Sequence, residues 1–390
     1  MTREEVERLI AEIETNVTVE GGDSYNITIS STHDKDLLAA SKALLSAVSI
    51  NCTFDVTYSS GWPTFSTHTK ETTSAGAGVI YSLDKADGSA YVITNYHVVY
   101  DAESDTEDGI SDDIKLYLYG QEYSDYAIRA EYVGGSKNYD IAVLRVKNSN
   151  VLRASNAVAA TFADSNSVAV LDTAIAIGNP EAEGISATVG VVNVESEQLV
   201  MSAIDGNGEV ALRVMRIDAA VNGGNSGGGL FNDRGEIIGI VNAKMSSSSV
   251  DNIGYAIPSN VAKNVAENII YYDGLDASND SVYRLMIGIS VSVSEAYTEY
   301  DVESGRVYKK EKVGIATVAD GSAASGKLEV GDIITAIEID GILHEVSRTF
   351  NVIDVMLLAR NNSTVKFHII RSGALQTVEM GMEKITPQPY

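Results

Sequence analysis

Residues 223–228 read Gly223-Gly224-Asn225-Ser226-Gly227-Gly228, and this glycine-rich run constrains the chain more than any other stretch. Glycine adopts backbone conformations that residues with a Cβ avoid, so the run forms a tight turn and not the middle of a strand or helix. Such a turn lets neighbouring N–H groups converge on one point, with the Ser226 hydroxyl beside it. Converging N–H donors stabilise an oxyanion, and a serine hydroxyl next to them becomes a nucleophile once a base takes its proton. The run therefore points to acyl transfer, with Ser226 attacking and the N–H groups of Gly224 and Ser226 as the oxyanion hole. The plain alternative is a tight β-turn without chemistry, so the rest of the chain must supply a base.

Two earlier segments do. Tyr91-Val92-Ile93-Thr94-Asn95-Tyr96-His97 is a β-rich run that delivers His97 at its end, and histidine is the usual general base for this task. Tyr139-Asp140-Ile141-Ala142-Val143-Leu144 places an acid, Asp140, at the start of a strand that reads as buried, where it can orient His97. The order His97, Asp140, Ser226 is the chymotrypsin order, distinct from those of subtilisin and the α/β-hydrolases.

With Gly76-Ala77-Gly78-Val79-Ile80, Asp218-Ala219-Ala220-Val221-Asn222 and Gly254-Tyr255-Ala256-Ile257-Pro258 added, residues 46 to 385 resemble the HtrA/DegP family of PDZ-containing serine proteases. The resemblance implies His97 as base, Asp140 as its orienting acid and Ser226 as nucleophile. It implies a mainly β fold: a chymotrypsin-like double six-stranded β-barrel followed by a C-terminal α+β PDZ domain. It further implies an ATP-independent endopeptidase that cuts unfolded or misfolded proteins in quality control, working as a homotrimer. Gly223 departs from the family, standing where many relatives have Arg. A binding protein that holds unfolded chains without cutting them is the competing reading, and the intact His97, Asp140 and Ser226 argue against a purely non-enzymatic role.

Chain length suits two or three domains. We expect a helical N-terminal segment over 1–45, a protease domain over 46–274 and a PDZ domain over 282–386. Thr2 and Glu5 form a potential capping box ahead of Val6, Leu9, Ile10 and Ile13, and a second helical pattern runs from Asp34 to Ser46. From Val48 to Ile257 short strands alternate with polar turns; Ile114, Leu116 and Leu118 alternate with Lys115, Tyr117 and Tyr119. Ser259 is placed to cap a helix carrying Val261, Val265 and Ile269, which Gly274 ends.

In the last domain, Met286-Ile287-Gly288-Ile289 resembles a PDZ carboxylate-binding loop. A C-terminal peptide would add as a strand beside Ile289–Val293, its carboxylate meeting the N–H groups of Ile287, Gly288 and Ile289 with help from Arg284. The helix around Asn351–Leu358 supplies the other wall. In the protease domain Ala220 lies six positions before Ser226, where trypsin-type enzymes carry an acid that selects Lys or Arg. A primary specificity pocket for a small or medium aliphatic residue follows. Asn225 replaces the Asp that binds a newly cut amino terminus in zymogen-activated relatives, so activation by propeptide cleavage is not expected; the resemblance implies instead that the loops 223–225 and 243–253 are ordered by substrate, by oligomer contacts or by PDZ engagement.

The 54 acids against 28 Lys and Arg, a formal charge of -26, oppose nucleic acid and anionic lipid as partners. Asp101, Glu103, Asp105, Glu107, Asp108, Asp112 and Asp113 fall in one loop, which reads as a solvated loop or as a steering surface for basic partners. Cys52 is the sole cysteine, set in a strand pattern that buries it. His33, His68, His344 and His368 show no ligand-like spacing, so neither metal nor cofactor is expected. No apolar run suits a membrane span or signal sequence. The family works outside the cytoplasm, often behind an N-terminal anchor. The expectation is therefore an extracytoplasmic protein of the bacterial cell envelope whose anchor precedes this chain, with a cytosolic member as the alternative.

Overall fold

The computed structural model describes residues 40–60, 66–122, 124–243, 253–275 and 281–390. The helical pattern over 2–13 lies outside the described residues, as do most of the loop 243–253 and the linker before Ser281. Residues 40–44, at the end of the second helical pattern, are helical.

Strands β1 (Ala47–Ser60), β2 (Ser66–Asp84), β3 (Ser89–Thr94), β4 (Asp113–Leu118), β5 (Ile128–Ser136) and β6 (Ile141–Val146) close a barrel in the order β1-β2-β3-β6-β5-β4. Period-two alternation builds it: Ile114, Leu116 and Leu118 of β4 face inward, paired with the inward Cys52, Ile50 and Val48 of β1. Cys52 is fully buried, and burial pushes its thiol up to about 12, which makes it a core residue and not a reactive thiol. A second barrel repeats the plan with β7 (Thr173–Gly178), β8 (Ser186–Ser202), β9 (Glu209–Ile217), β10 (Gly229–Phe231), β11 (Ile237–Val241) and β12 (Gly254–Pro258), in the order β10-β11-β12-β9-β8-β7. Closure leaves neither barrel a free edge.

The barrels share one core. Val79, Ile93 and Val143 of the first meet Ile177, Phe231 and Ile240 of the second, and Val261, Val265 and Ile269 of a long helix complete the cluster. Besides residues 40–44, the α-helices among the described residues are α1 (Tyr96–Val99), α2 (Asn150–Ala154), that long helix α3 (Ser259–Asp273) and α4 (Thr349–Met356). Ser259 does not cap α3: its hydroxyl is drawn to the Ala163 carbonyl at 2.7 Å, fastening the helix to the barrel instead. Gly274 does stand at its C-terminal end.

Beyond α3, β14 (Ile289–Asp301), β15 (Arg306–Val318), β16 (Ile333–Ile339), β18 (Thr364–Arg371) and β19 (Ala374–Gly381) form an antiparallel sheet in that order, with β17 (Ile342–Glu345) paired to β16. The sheet has a core of its own, in which Val313, Ile337, Val365 and Phe367 pack against Val352 and Val355 of α4. A two-stranded ribbon, β13 (Tyr283–Arg284) with β20 (Gln388–Pro389), ties its two ends together.

Asp332, in the turn leading to β16, is almost completely buried, and both its oxygens accept from Arg371 at 2.7 Å. Burial opposes the charge, yet the Arg371 hydrogen bonds and the Glu329 N–H bring the carboxyl below its ordinary 3.8. A depressed carboxyl contributes stability that is present above 3.8 and lost as pH falls through the lowered value. Urea unfolding followed by circular dichroism should therefore lose stability below that pH. Asp332→Asn should cost about 1–3 kcal/mol at pH 7 and flatten the acid dependence; an unchanged acid limb would remove Asp332 from the explanation.

Candidate active site

Asn95 leaves β3 in extended conformation and starts α1, whose second residue is His97. The first N–H groups of a helix lack intrahelical partners, and here Asp140 Oδ1 accepts that of His97 at 3.0 Å. The other carboxylate oxygen, Oδ2, lies 2.8 Å from His97 Nδ1. One carboxylate thus fixes both the backbone and the ring of His97, and leaves Nε2 as the free face. Asn95 closes the arrangement by donating from Nδ2 to the Asp140 carbonyl at 2.7 Å.

Asp140 itself sits between β5 and β6 with φ 50°, a left-handed conformation rare outside glycine. It is only 2% exposed, so its charge depends on the donors around it. One donor was invisible in the sequence reading. Asn242, fully buried at the end of β11, donates from Nδ2 to Asp140 Oδ2 at 2.6 Å. It lies 102 positions from its partner, and only closure of the second barrel against the first brings the two together. Hydrogen bonds to charged groups contribute about 1.5–3 kcal/mol. If half of that acts on the transition state, Asn242→Ala lowers kcat by about 4- to 13-fold with KM little changed. Steady-state kinetics on a fluorogenic peptide would measure it.

The glycine-rich run forms the predicted turn between the barrels. The Ser226 carbonyl accepts from Ala77 N–H of β2 at 2.8 Å, and Gly227 N–H donates to the Val241 carbonyl of β11 at 2.9 Å. Gly227 has φ +84°, and a Cβ there would lie 2.2 Å from Thr94 Oγ1 and 2.3 Å from the Ala77 carbonyl, so no other residue fits. Gly224 also takes a positive φ, 91°. Among the described residues, neither Gly224 N–H nor Ser226 N–H has an acceptor, as an oxyanion hole requires. Gly223 is exposed with open space around it.

Ser226 is 5% exposed, and its Oγ accepts from Ala243 N–H at 3.2 Å. Among the described residues no hydrogen bond joins Ser226 to His97; the Ser226 hydroxyl rests instead on the backbone that follows Asn242. Ala220 lies on the loop after β9, its carbonyl bonded to the Thr188 hydroxyl at 2.9 Å, and brings no charge to that loop. In the acidic loop, Asp101 and Asp108 accept N–H groups of the loop itself, while Asp105 binds the Thr57 hydroxyl at 2.6 Å and so ties the loop to β1.

In the C-terminal sheet the carbonyls of Ile287 and Gly288 accept from Ala324 and Ala319 N–H groups at 3.1 and 2.8 Å. Gly288 has φ +83°, and a Cβ there would strike Ser322 at 2.2 Å. The loop begins β14, whose outer edge carries no strand in the described sheet and runs alongside α4. Arg284 goes elsewhere than the expected position over this loop. Its guanidinium donates to the Tyr139 hydroxyl and stacks on the Tyr390 ring, where the aromatic faces attract its charge away from the loop.

Two closed six-stranded barrels with a His-Asp pair anchored on a buried carboxylate and a glycine-cradled serine between them define a trypsin-like serine peptidase, and residues 76–240 match the family of the trypsin-like peptidase domain. The serine protease Do-like HtrA of Bacillus subtilis is 32% identical over 316 residues, which cover 77% of this chain and 65% of that relative. That of Lactococcus lactis subsp. lactis is 30% identical over 332 residues, 82% of this chain and 73% of the relative. The solved structure of the HtrA-type protease AlgW with a decapeptide superposes with a TM-score of 0.52 at 26% identity, covering 90% of this chain and 98% of that one. The chain belongs to the HtrA/DegP family of serine proteases.

Proposed function

We propose that this chain is an ATP-independent quality-control endopeptidase that cuts unfolded polypeptides, with His97 as general base, Asp140 as its orienting acid and Ser226 as nucleophile. The observation that carries the assignment is the double grip of Asp140 on His97, through N–H and Nδ1, which leaves Nε2 as the ring nitrogen available to Ser226. For attack, Ser226 Oγ leaves Ala243 N–H and turns its hydroxyl to Nε2. As Oγ bonds to the peptide carbonyl carbon, the proton passes to Nε2 and the carbonyl oxygen becomes an oxyanion held by Gly224 and Ser226 N–H. The imidazolium then protonates the leaving amine as the C–N bond breaks. Water, deprotonated by Nε2, releases the acyl group by the same route and restores Ser226.

The uncharged Ala220 side chain, at the position six before Ser226, supports a preference for small or medium aliphatic side chains. The free edge of β14, with the loop Ile287-Gly288-Ile289 at its start and α4 along it, supports reading the C-terminal sheet as a PDZ domain that takes peptide C-termini. Family membership supports a homotrimer and, since the family includes a member named as a probable periplasmic endoprotease, a place outside the cytoplasm in the bacterial envelope. Digestion of reduced casein by the wild type and Ser226→Ala tests the reading. Wild-type fragments should end mainly in Val, Ala or Leu. Strictly tryptic ends would overturn the pocket, and equal inactivity of both proteins, with and without C-terminal peptides, would overturn the peptidase.

A further inference from the structure

Catalysis at Ser226 depends on where Asp140 points, and a non-glycine residue holds a left-handed backbone only where its surroundings fix it. Asn95, His97 and Asn242 fix Asp140 itself. The preceding residue, Tyr139, is fixed from the other domain. Arg284 donates a guanidinium N–H to the Tyr139 hydroxyl, and its guanidinium carbon lies 5.3 Å from the Tyr139 ring centroid and 3.3 Å from that of Tyr390. The two tyrosine rings are themselves 5.6 Å apart, so Arg284 joins them like a rivet.

Arg284 is held as firmly as it holds. Its strand β13 pairs with β20, Tyr390 N–H donates to the Val282 carbonyl at 2.8 Å, and Asn268 of α3 bonds both the N–H and the carbonyl of Tyr283 at 2.9 Å. Among the described residues no carboxylate pairs directly with Arg284; its hydrogen-bond acceptor is the Tyr139 hydroxyl, with the Asp354 carboxylate acting on its charge from farther off. A cavity of about 280 Å³ opens beside Tyr139, Arg284, Phe350 and Ile353, which leaves the guanidinium room to withdraw. Two residues after Arg284 the chain enters the loop 286–288.

We propose that Arg284 is a positioning residue for the active site: through Tyr139 it sets the orientation of Asp140 from the C-terminal sheet, just ahead of the loop that opens the peptide edge. The proposal rests on reading His97, Asp140 and Ser226 as the catalytic set. A side chain that moves a catalytic group by a fraction of an ångström changes turnover more than binding.

The test compares Tyr139→Phe, Arg284→Ala, Arg284→Lys and the double variant Tyr139→Phe/Arg284→Ala in the whole chain. Tyr139→Phe keeps the ring and removes only the hydroxyl, so folding is preserved even if Arg284→Ala loosens the sheet. The first readout is the downfield proton resonance of the His97 Nδ1–H bonded to Asp140, which needs no turnover and so judges the linkage separately from the peptidase. The second is kcat and KM on a fluorogenic peptide. Expected are a shifted resonance in Tyr139→Phe and Arg284→Ala, a roughly ten-fold loss of kcat in each with KM unchanged, no further loss in the double variant, and partial recovery in Arg284→Lys. An unmoved resonance in Tyr139→Phe, or losses that multiply in the double variant, would overturn it.

Discussion

Ser226→Ala is expected to lower peptide hydrolysis by about 10⁴-fold or more while leaving the fold intact. Among the described residues the side chain makes a single hydrogen bond, accepting from Ala243 N–H at 3.2 Å, so its removal costs no more than about 1 kcal/mol of stability. The turn around it is held by backbone contacts that alanine keeps: Ala77 N–H to the residue-226 carbonyl, Gly227 N–H to Val241, and Val241 N–H to Gly228. Activity that remains would come from the N–H groups of Gly224 and residue 226, which stay in place and still stabilise an oxyanion formed by water attack. Progress curves on a fluorogenic peptide, with urea unfolding of the same samples, separate the two effects. Loss of activity together with loss of folding would show that Ser226 acts through structure and not as the nucleophile.

What the sequence revealed and what it hid follow from the range of the interactions. The alternation of Ile114, Leu116 and Leu118 is a local signal, because inward and outward faces are set by adjacent residues. The glycine turn is equally local, since Gly227 is demanded by its own positive φ and by backbone packed within 2.3 Å of a missing Cβ. Asn242 is different. A buried asparagine just past a strand reads as an ordinary polar residue until the carboxylate it serves is known, and that carboxylate is in another barrel. The same holds for Arg213 of β9, whose guanidinium pairs with Asp354 of α4 across the junction between the second barrel and the C-terminal sheet. Burial raises the Asp354 pKa against the pull of Arg213, so this pair fixes how the domains meet more than it adds stability. Arg284 was legible as a basic residue near the loop 286–288, yet its aim at Tyr139 depends on docking that no local pattern encodes. Ser259 likewise had a capping residue's identity and a packing residue's contacts.

Asp140→Asn should lower kcat by about 10⁴-fold, and the hydrogen-bond census at Asp140 gives the reason. Three donors converge on its two oxygens: His97 N–H on Oδ1, and His97 Nδ1 with Asn242 Nδ2 on Oδ2. An amide offers one oxygen and one NH₂ group, so one side of this set must face a donor with a donor. If the oxygen stays with Asn242 and the ring, the NH₂ group confronts His97 N–H, and the helix start shifts. If the NH₂ group faces the ring, His97 can keep its place only by accepting at Nδ1, which moves the proton to Nε2 and removes the lone pair that Ser226 needs. Both arrangements disable the base, whereas an orphaned Ser226 alone would still leave His97 poised. The distinguishing measurement is alkylation of His97 by a substrate-like chloromethyl ketone, followed by mass spectrometry. It should slow sharply in Asp140→Asn, in which the tautomer is wrong. It should proceed more readily in Asn242→Ala, in which Asp140 still accepts from His97 Nδ1. Equal rates in the two variants would mean that Asp140 does not set the imidazole proton.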